Sequence, residues 1–183
     1  MHIVNPVAVL WDIASFHIPK GLKEEDIAVN VRTFLRVHGS IQGPICVFSA
    51  YGDLSSFPSK MRKGCQNTGV NLIDIPNGNK GESHKAILVD MCLFALDHPP
   101  PCNIVLLSND IDFAPALHKL GQLGYTLLLI TPSISPESSA LYSACAFVWT
   151  WSFVLKKDWA INNIDQKSLA SHHCPENFCN GLK

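Results

Sequence analysis

Asp12, Asp110 and Asp112 are the residues in this chain best placed to do chemistry, because each stands where an apolar run stops. In IVLLSNDIDF, Ile104 to Phe113, four large aliphatics end at Ser108 and two acids follow. In VAVLWDI, Val7 to Ile13, the sole charge is Asp12, at the carboxyl end. Acids at the carboxyl ends of strands in one parallel sheet face the crevice where such folds bind ligands. Clustered carboxylates repel unless a cation offsets them, and hard oxygen ligands select Mg2+ or Mn2+ over zinc. Such an ion can supply hydroxide and stabilise the charge that develops as a phosphodiester is cleaved. Phosphodiester hydrolysis is therefore the chemistry expected of the three acids. The plainer alternative is that Asp110 or Asn109 caps the next helix and Asp112 favours its dipole.

The elements that must position these acids are legible as alternating patterns. Apolar runs predict strands at 7–13, 45–51, 70–75, 104–107, 125–131 and 147–151. Helical spacing predicts helices over 24–37, 55–66, 83–96, 113–123 and 136–144, with Pro115 in a first turn and Gly124 as a stop. Strand and helix alternate, which argues a single α/β domain with a mainly parallel five- to six-stranded sheet and helices on both faces. The segment PNGNKG, Pro76 to Gly81, reads as a polar, mobile loop. After Leu155 the sequence turns polar, so a domain over 1–155 and a partly disordered tail over 156–183 are expected.

Composition narrows the function classes. With 183 residues and 47% hydrophobic content, the chain can bury one good core. A formal charge of −1 excludes a general polyanion binder, so nucleic-acid affinity must come from a local patch. Lys60, Arg62 and Lys63 form the one compact basic cluster, and Lys80 and Lys85 could steer an RNA backbone with them. Seven cysteines, mostly in apolar runs, suit a reducing compartment. No signal-type segment or membrane-length apolar run is present, so an intracellular, most readily cytoplasmic protein without membrane attachment is expected.

Other motifs are absent. The turn after the first strand has no G-x-G-x-x-G and no G-x-x-x-x-G-K-[ST], which speaks against dinucleotide and P-loop sites. There is no nucleophile elbow, and Ala14 stands where phosphoaspartate chemistry would want a second Asp. His172, His173, Cys174 and Cys179 do not follow a familiar zinc spacing.

The segments VLWDI, SHKAILVDM and HPPPCNIVLLSNDIDFAPALHKLGQLGY resemble limkain-type NYN domains over roughly residues 5 to 155. These domains form a branch of the PIN-like nucleases that includes the meiosis regulator and mRNA stability factor family and many plant proteins. The resemblance implies a PIN-like three-layer fold and Mg2+- or Mn2+-dependent endoribonuclease activity on RNA. It also implies Asp12, Asp110 and Asp112 as catalytic metal ligands and partner proteins in RNA-decay complexes. Association with peroxisomes is implied by the resemblance alone. The chain departs from the family pattern at Ala14 and Ser15, where Glu and Asn are usual, and at Asn109, where Gly is usual. It also carries His84 where the family has an acid. His84 itself, Glu82 and Asp53 are candidates for the missing ligand, although a histidine at a helix start is more often merely solvated. Asp90 matches the family's L-V-D-M, and on a helix it is expected to face solvent or pair with a neighbour.

Two classes of function follow. One is an endoribonuclease acting in RNA processing or regulation of gene expression. The other is a weakened module that binds RNA or protein partners without cutting.

Overall fold

The structure is a computed structural model and describes residues 5–15, 26–39, 41, 43–75 and 80–156. Strands β1 (Val7–Asp12), β2 (Ile45–Gly52), β3 (Asn71–Asp74), β4 (Asn103–Leu107), β5 (Thr126–Thr131) and β6 (Phe147–Thr150) form one sheet in the order β3-β2-β1-β4-β5-β6. All five strand pairs are parallel. Helices α1 (Ile27–Val37), α2 (Ser59–Asn67), α3 (Lys80–Asp97), α4 (Ala114–Gln122), α5 (Ser139–Ser143) and α6 (Trp151–Lys156) complete the alternation.

The central strands are buried on both faces, which is why they read as continuous apolar runs rather than alternating ones. Along β1, Val7, Val9 and Trp11 enter one core with Ile27, Phe34, Met61 and Trp151, beneath α1, α2 and α6. Ala8 and Leu10 enter the other with Ile87, Met91, Phe113 and Leu117, beneath α3 and α4. The period of two puts Asp12 on the α3 side of the sheet. Three layers result, as expected.

Ile104 of β4 is fully buried in the second core. Ile104→Val should cost about 0.5–1.5 kcal/mol by removing one methylene from a packed site, read as a lowered urea midpoint at constant slope. A larger loss, or a changed slope, would contradict this packing.

Several element ends differ from the sequence reading. Trp151 opens α6 instead of ending β6, and its ring lies 5.7 Å from that of Trp11. Burial of the WSFVL stretch on the first core overrides its strand-like composition. α2 begins at Ser59, after Pro58, because Asp53 to Ser56 is a turn closed by the Ser56 N–H on the Asp53 carbonyl. α3 starts at Lys80, so Lys80 and Gly81 belong to a helix and not to a loop. A short 3-10 turn, Ile111–Phe113, precedes α4. Residues 24 and 25, loop residues 76–79 and the tail from residue 157, with its histidines and cysteines, lie outside the described residues.

Candidate active site

The strand order reverses between β1 and β4: β2 and β3 lie outward from β1, whereas β5 and β6 lie outward from β4. Crevices at such switch points, outside the carboxyl ends of the strands, are where open α/β sheets bind ligands. Trp11 pairs in register with Leu107, so Asp12 and Ser108 leave the sheet side by side.

Asp12 is 2% exposed. A carboxylate at that depth needs donors, and two hydroxyls provide them. The Ser15 hydroxyl, at the end of the Ile13–Ser15 turn, donates to Asp12 Oδ2, and the Ser108 hydroxyl donates to the same oxygen over 3.2 Å. Ser108 Oγ in turn accepts the Asp110 N–H at 3.1 Å. One serine thus ties the buried acid of β1 to the loop that carries the second acid.

Asp110 is the cap of the 3-10 turn, its Oδ1 accepting the Asp112 N–H at 3.1 Å. The capping role and a place on the rim are therefore compatible. Its Oδ2 lies 3.7 Å from His84 Nδ1 on α3, and the two side chains are only 13% and 15% exposed. The His84 ring stacks on Phe113 with centroids 4.2 Å apart. His84 is thus a rim residue, not a solvated helix-start histidine. Phe113, fully buried, fixes its plane.

Asp112 is exposed in the turn. Glu82 is exposed in the first turn of α3. Asp53 is engaged locally by the Ser55 hydroxyl and N–H, which hold its carboxyl below the usual carboxylate range. Asp90 is half-buried and paired: it accepts a 2.7 Å hydrogen bond from the hydroxyl of fully buried Tyr51, the register partner of Asp12 in β1. Burial and the Asp90 carboxylate push the Tyr51 phenol well above its ordinary value. Tyr51→Phe removes a hydrogen bond to a carboxylate and should cost about 1.5–3 kcal/mol, measured by chemical denaturation. An unchanged midpoint would show that the bond adds nothing.

Among the described side chains, the basic residues expected to contact RNA lie on α2 and α3, on opposite faces of the sheet. The Arg62 guanidinium donates to the Leu54 carbonyl and, at 3.4 Å, to the Phe57 carbonyl, so it serves the turn before α2. Lys60 and Lys63 are exposed on α2, which covers the first core, whereas Lys85 is exposed on α3, over the second. Lys80 is the first residue of α3.

The donor set can be weighed against a divalent ion. Among the described residues, no three His, Cys, Asp or Glu side chains gather closely enough to hold one by themselves. His84 Nδ1 is buried without a hydrogen-bond partner and faces Asp110 Oδ2 at more than hydrogen-bonding distance. Two carboxylates with one nearby imidazole are a donor set of the kind through which a hydrated hard cation usually binds, rather than a closed cage.

Sequence reasoning missed Ser108 and Tyr51, and it read Ser15 only as a lost amide. The SxD spacing of Ser108 and Asp110, with the hydroxyl two residues before the acid at a strand end, was the available signal.

Fold and rim together define a PIN-like α/β domain with an acidic switch-point crevice. The chain belongs to the NYN domain family, whose model matches residues 6–150. It is 26% identical over 140 residues to meiosis regulator and mRNA stability factor 1 of Mus musculus, and 25% identical over 135 residues to that of Bos taurus. These matches cover 75% and 73% of this chain, which spans 8% of the length of either relative. A solved structure of a protein of unknown function from Vibrio parahaemolyticus RIMD 2210633 shares the fold, with a TM-score of 0.54 at 15% identity over 80% of this chain and 93% of that one. No described helix is long and apolar enough to cross a membrane.

Proposed function

We propose that this domain is a divalent-metal-dependent endoribonuclease with its site at the β1/β4 crevice. The observation that carries the reading is the buried Asp12 carboxylate, held by Ser15 and linked through Ser108 to Asp110. A charged group kept at such a depth at a ligand-binding switch point marks function more than stability. RNA enters as substrate class from the relatives, whose name concerns mRNA stability, and unstructured RNA is the substrate form proposed. Processing or regulation of RNA is the setting this reading proposes, following the relatives' name as mRNA stability factors.

In this reading Asp12 and Asp110 hold Mg2+ or Mn2+, with Asp112 at the outer edge. Such an ion, when bound there, would supply an activated water and offset charge on the phosphoryl oxygens. Ser15 and Ser108 fix the rotamer of Asp12, so the carboxylate is preorganised. His84 holds the flank of Asp110, and the lysines of α2 and α3 add screened attraction to the backbone. Glu82 and Asp53 are left outside the proposed ligand set.

His84 beside Asp110, where the family pattern has an acid, favours a second reading: a module that binds RNA or protein partners but cuts slowly or not at all. End-labelled unstructured RNA incubated with the purified chain in Mn2+, in Mg2+ and in EDTA separates the two. Internal cleavage that EDTA removes supports the enzyme. Retarded but intact RNA in every condition would establish the binding module instead.

A further inference from the structure

The elements around α1 and α2 carry charge of one sign. α1, α2 and β2 contain Arg32, Arg36, Lys60, Arg62 and Lys63 and no Asp or Glu, in a chain whose formal net charge is −1. Two of these cations, Arg32 and Arg36, line a groove of about 330 Å³ with Gly43, Pro44 and Ile45, where the chain passes from α1 to β2. They stand one helical turn apart, so they share a face of α1. The Arg32 guanidinium is set in place, 4.9 Å over the Phe48 ring and donating to the Gly69 carbonyl at 3.3 Å. Its Nε–H is buried with no acceptor among the described residues. Burial pulls its pKa below the ordinary arginine value, a direction that a nearby anion would reverse. Among the described residues no carboxylate pairs with either arginine. The facing wall is fixed too: Gly43, with φ of 142°, lies against Asn5, and the Pro44 carbonyl accepts the Val7 N–H at 2.9 Å.

We propose that Arg32 and Arg36 hold a phosphate of a bound RNA strand, in a groove separate from the cleavage crevice. Two guanidinium forks match the oxygens of one phosphate, and arginine recognises them by geometry as well as by charge. The cations that continue from the groove favour a polynucleotide over a free phosphate. α2 carries the chain from the carboxyl end of β2 back to the amino end of β3. Exposed Lys60 therefore stands near the rim, exposed Lys63 midway, and Gly69, which Arg32 holds, at the groove end. Ile45 of the groove wall pairs with Val7, so the groove lies the length of β1, about 17 Å, from the strand end that carries Asp12. A single strand several nucleotides long spans that length. That the anion is RNA rests on the proposed function, whereas that it is a phosphate rests on the two arginines.

RNA binding in EDTA, where metal-supported cleavage is silent, tests the groove. By fluorescence anisotropy of a labelled unstructured oligoribonucleotide, Arg36→Gln should raise the dissociation constant about fivefold or more and lower the salt slope by about one. Its circular dichroism should match wild type, because Arg36 is exposed. Arg32→Lys with Arg36→Lys keeps both charges and loses both forks, so it should also bind more weakly than wild type. In nuclear magnetic resonance spectra the Arg32 Nε–H signal should shift on addition of the RNA, and inorganic phosphate alone should move it only at far higher concentration. Wild-type affinity and salt slope in both variants would overturn the proposal. An Arg32 signal that answers inorganic phosphate but not RNA would overturn the assignment to a nucleic-acid backbone. A wild type that cuts RNA while its affinity ignores both arginines removes the groove alone, and one that holds RNA through them without cutting it removes the nuclease reading alone.

Discussion

Replacing Asp110 by Asn should lower metal-supported RNA cleavage about 100-fold or more, equivalent to about 2.7 kcal/mol of transition-state stabilisation, while the fold stays intact. The amide oxygen can still accept the Asp112 N–H, so the turn before α4 keeps its cap. What is lost is the negative charge that would hold the proposed ion. The contact with His84 spans 3.7 Å, longer than a hydrogen bond, so losing the Asp110 charge should move the melting temperature by only a few degrees. Single-turnover cleavage and thermal melts on the same preparations check both halves. Cleavage at the wild-type rate in the Asn variant would remove Asp110 from the site, whatever happened to the melt.

His84→Asp is the second large effect expected, and it has the opposite sign. The new carboxylate starts from a helix position whose side chain already reaches Asp110. Two acids so close repel in the absence of a cation, and a divalent ion relieves that repulsion. Without metal the variant should therefore melt below wild type. Adding Mg2+ should reverse the order, with affinity raised about tenfold or more and Mg2+-supported cleavage raised with it. The wild-type imidazole, a softer donor, should instead favour Mn2+. Calorimetric titrations and melts with each ion would show the crossover. Equal Mg2+ affinity in the two proteins, with no metal-dependent change in melting order, would mean that position 84 does not govern the site.

The fold was legible because its signals are local. The run Ile104 to Leu107 and the acid-ended run Val7 to Asp12 announced the two strands that carry the site, and their shared carboxyl rim follows from parallel pairing alone. What sequence could not supply were contacts between segments far apart in the chain. Ser108 reaches Asp12 across 96 positions, and Tyr51 reaches Asp90 across 39, so neither partner had a periodic pattern to reveal it. His84 shows the limit of a local prior. A place near a helix start predicts exposure, yet Phe113 of another element turns the ring inward. Trp151 ends an apolar run that reads as strand, whereas packing against Trp11 draws it into the first turn of α6. Arg62 looked like part of a basic patch, and two carbonyls of the preceding turn occupy it.

A divalent ion held at the β1/β4 rim through Asp12 and Asp110, as proposed, is directly observable. Mn2+ binding followed by electron paramagnetic resonance measures this without reference to RNA or turnover. Wild type should take up one Mn2+ with saturable loss of the free-ion signal, and Asp12→Asn and Asp110→Asn should each abolish that uptake while remaining folded. Uptake by both folded variants equal to that of wild type would contradict the account.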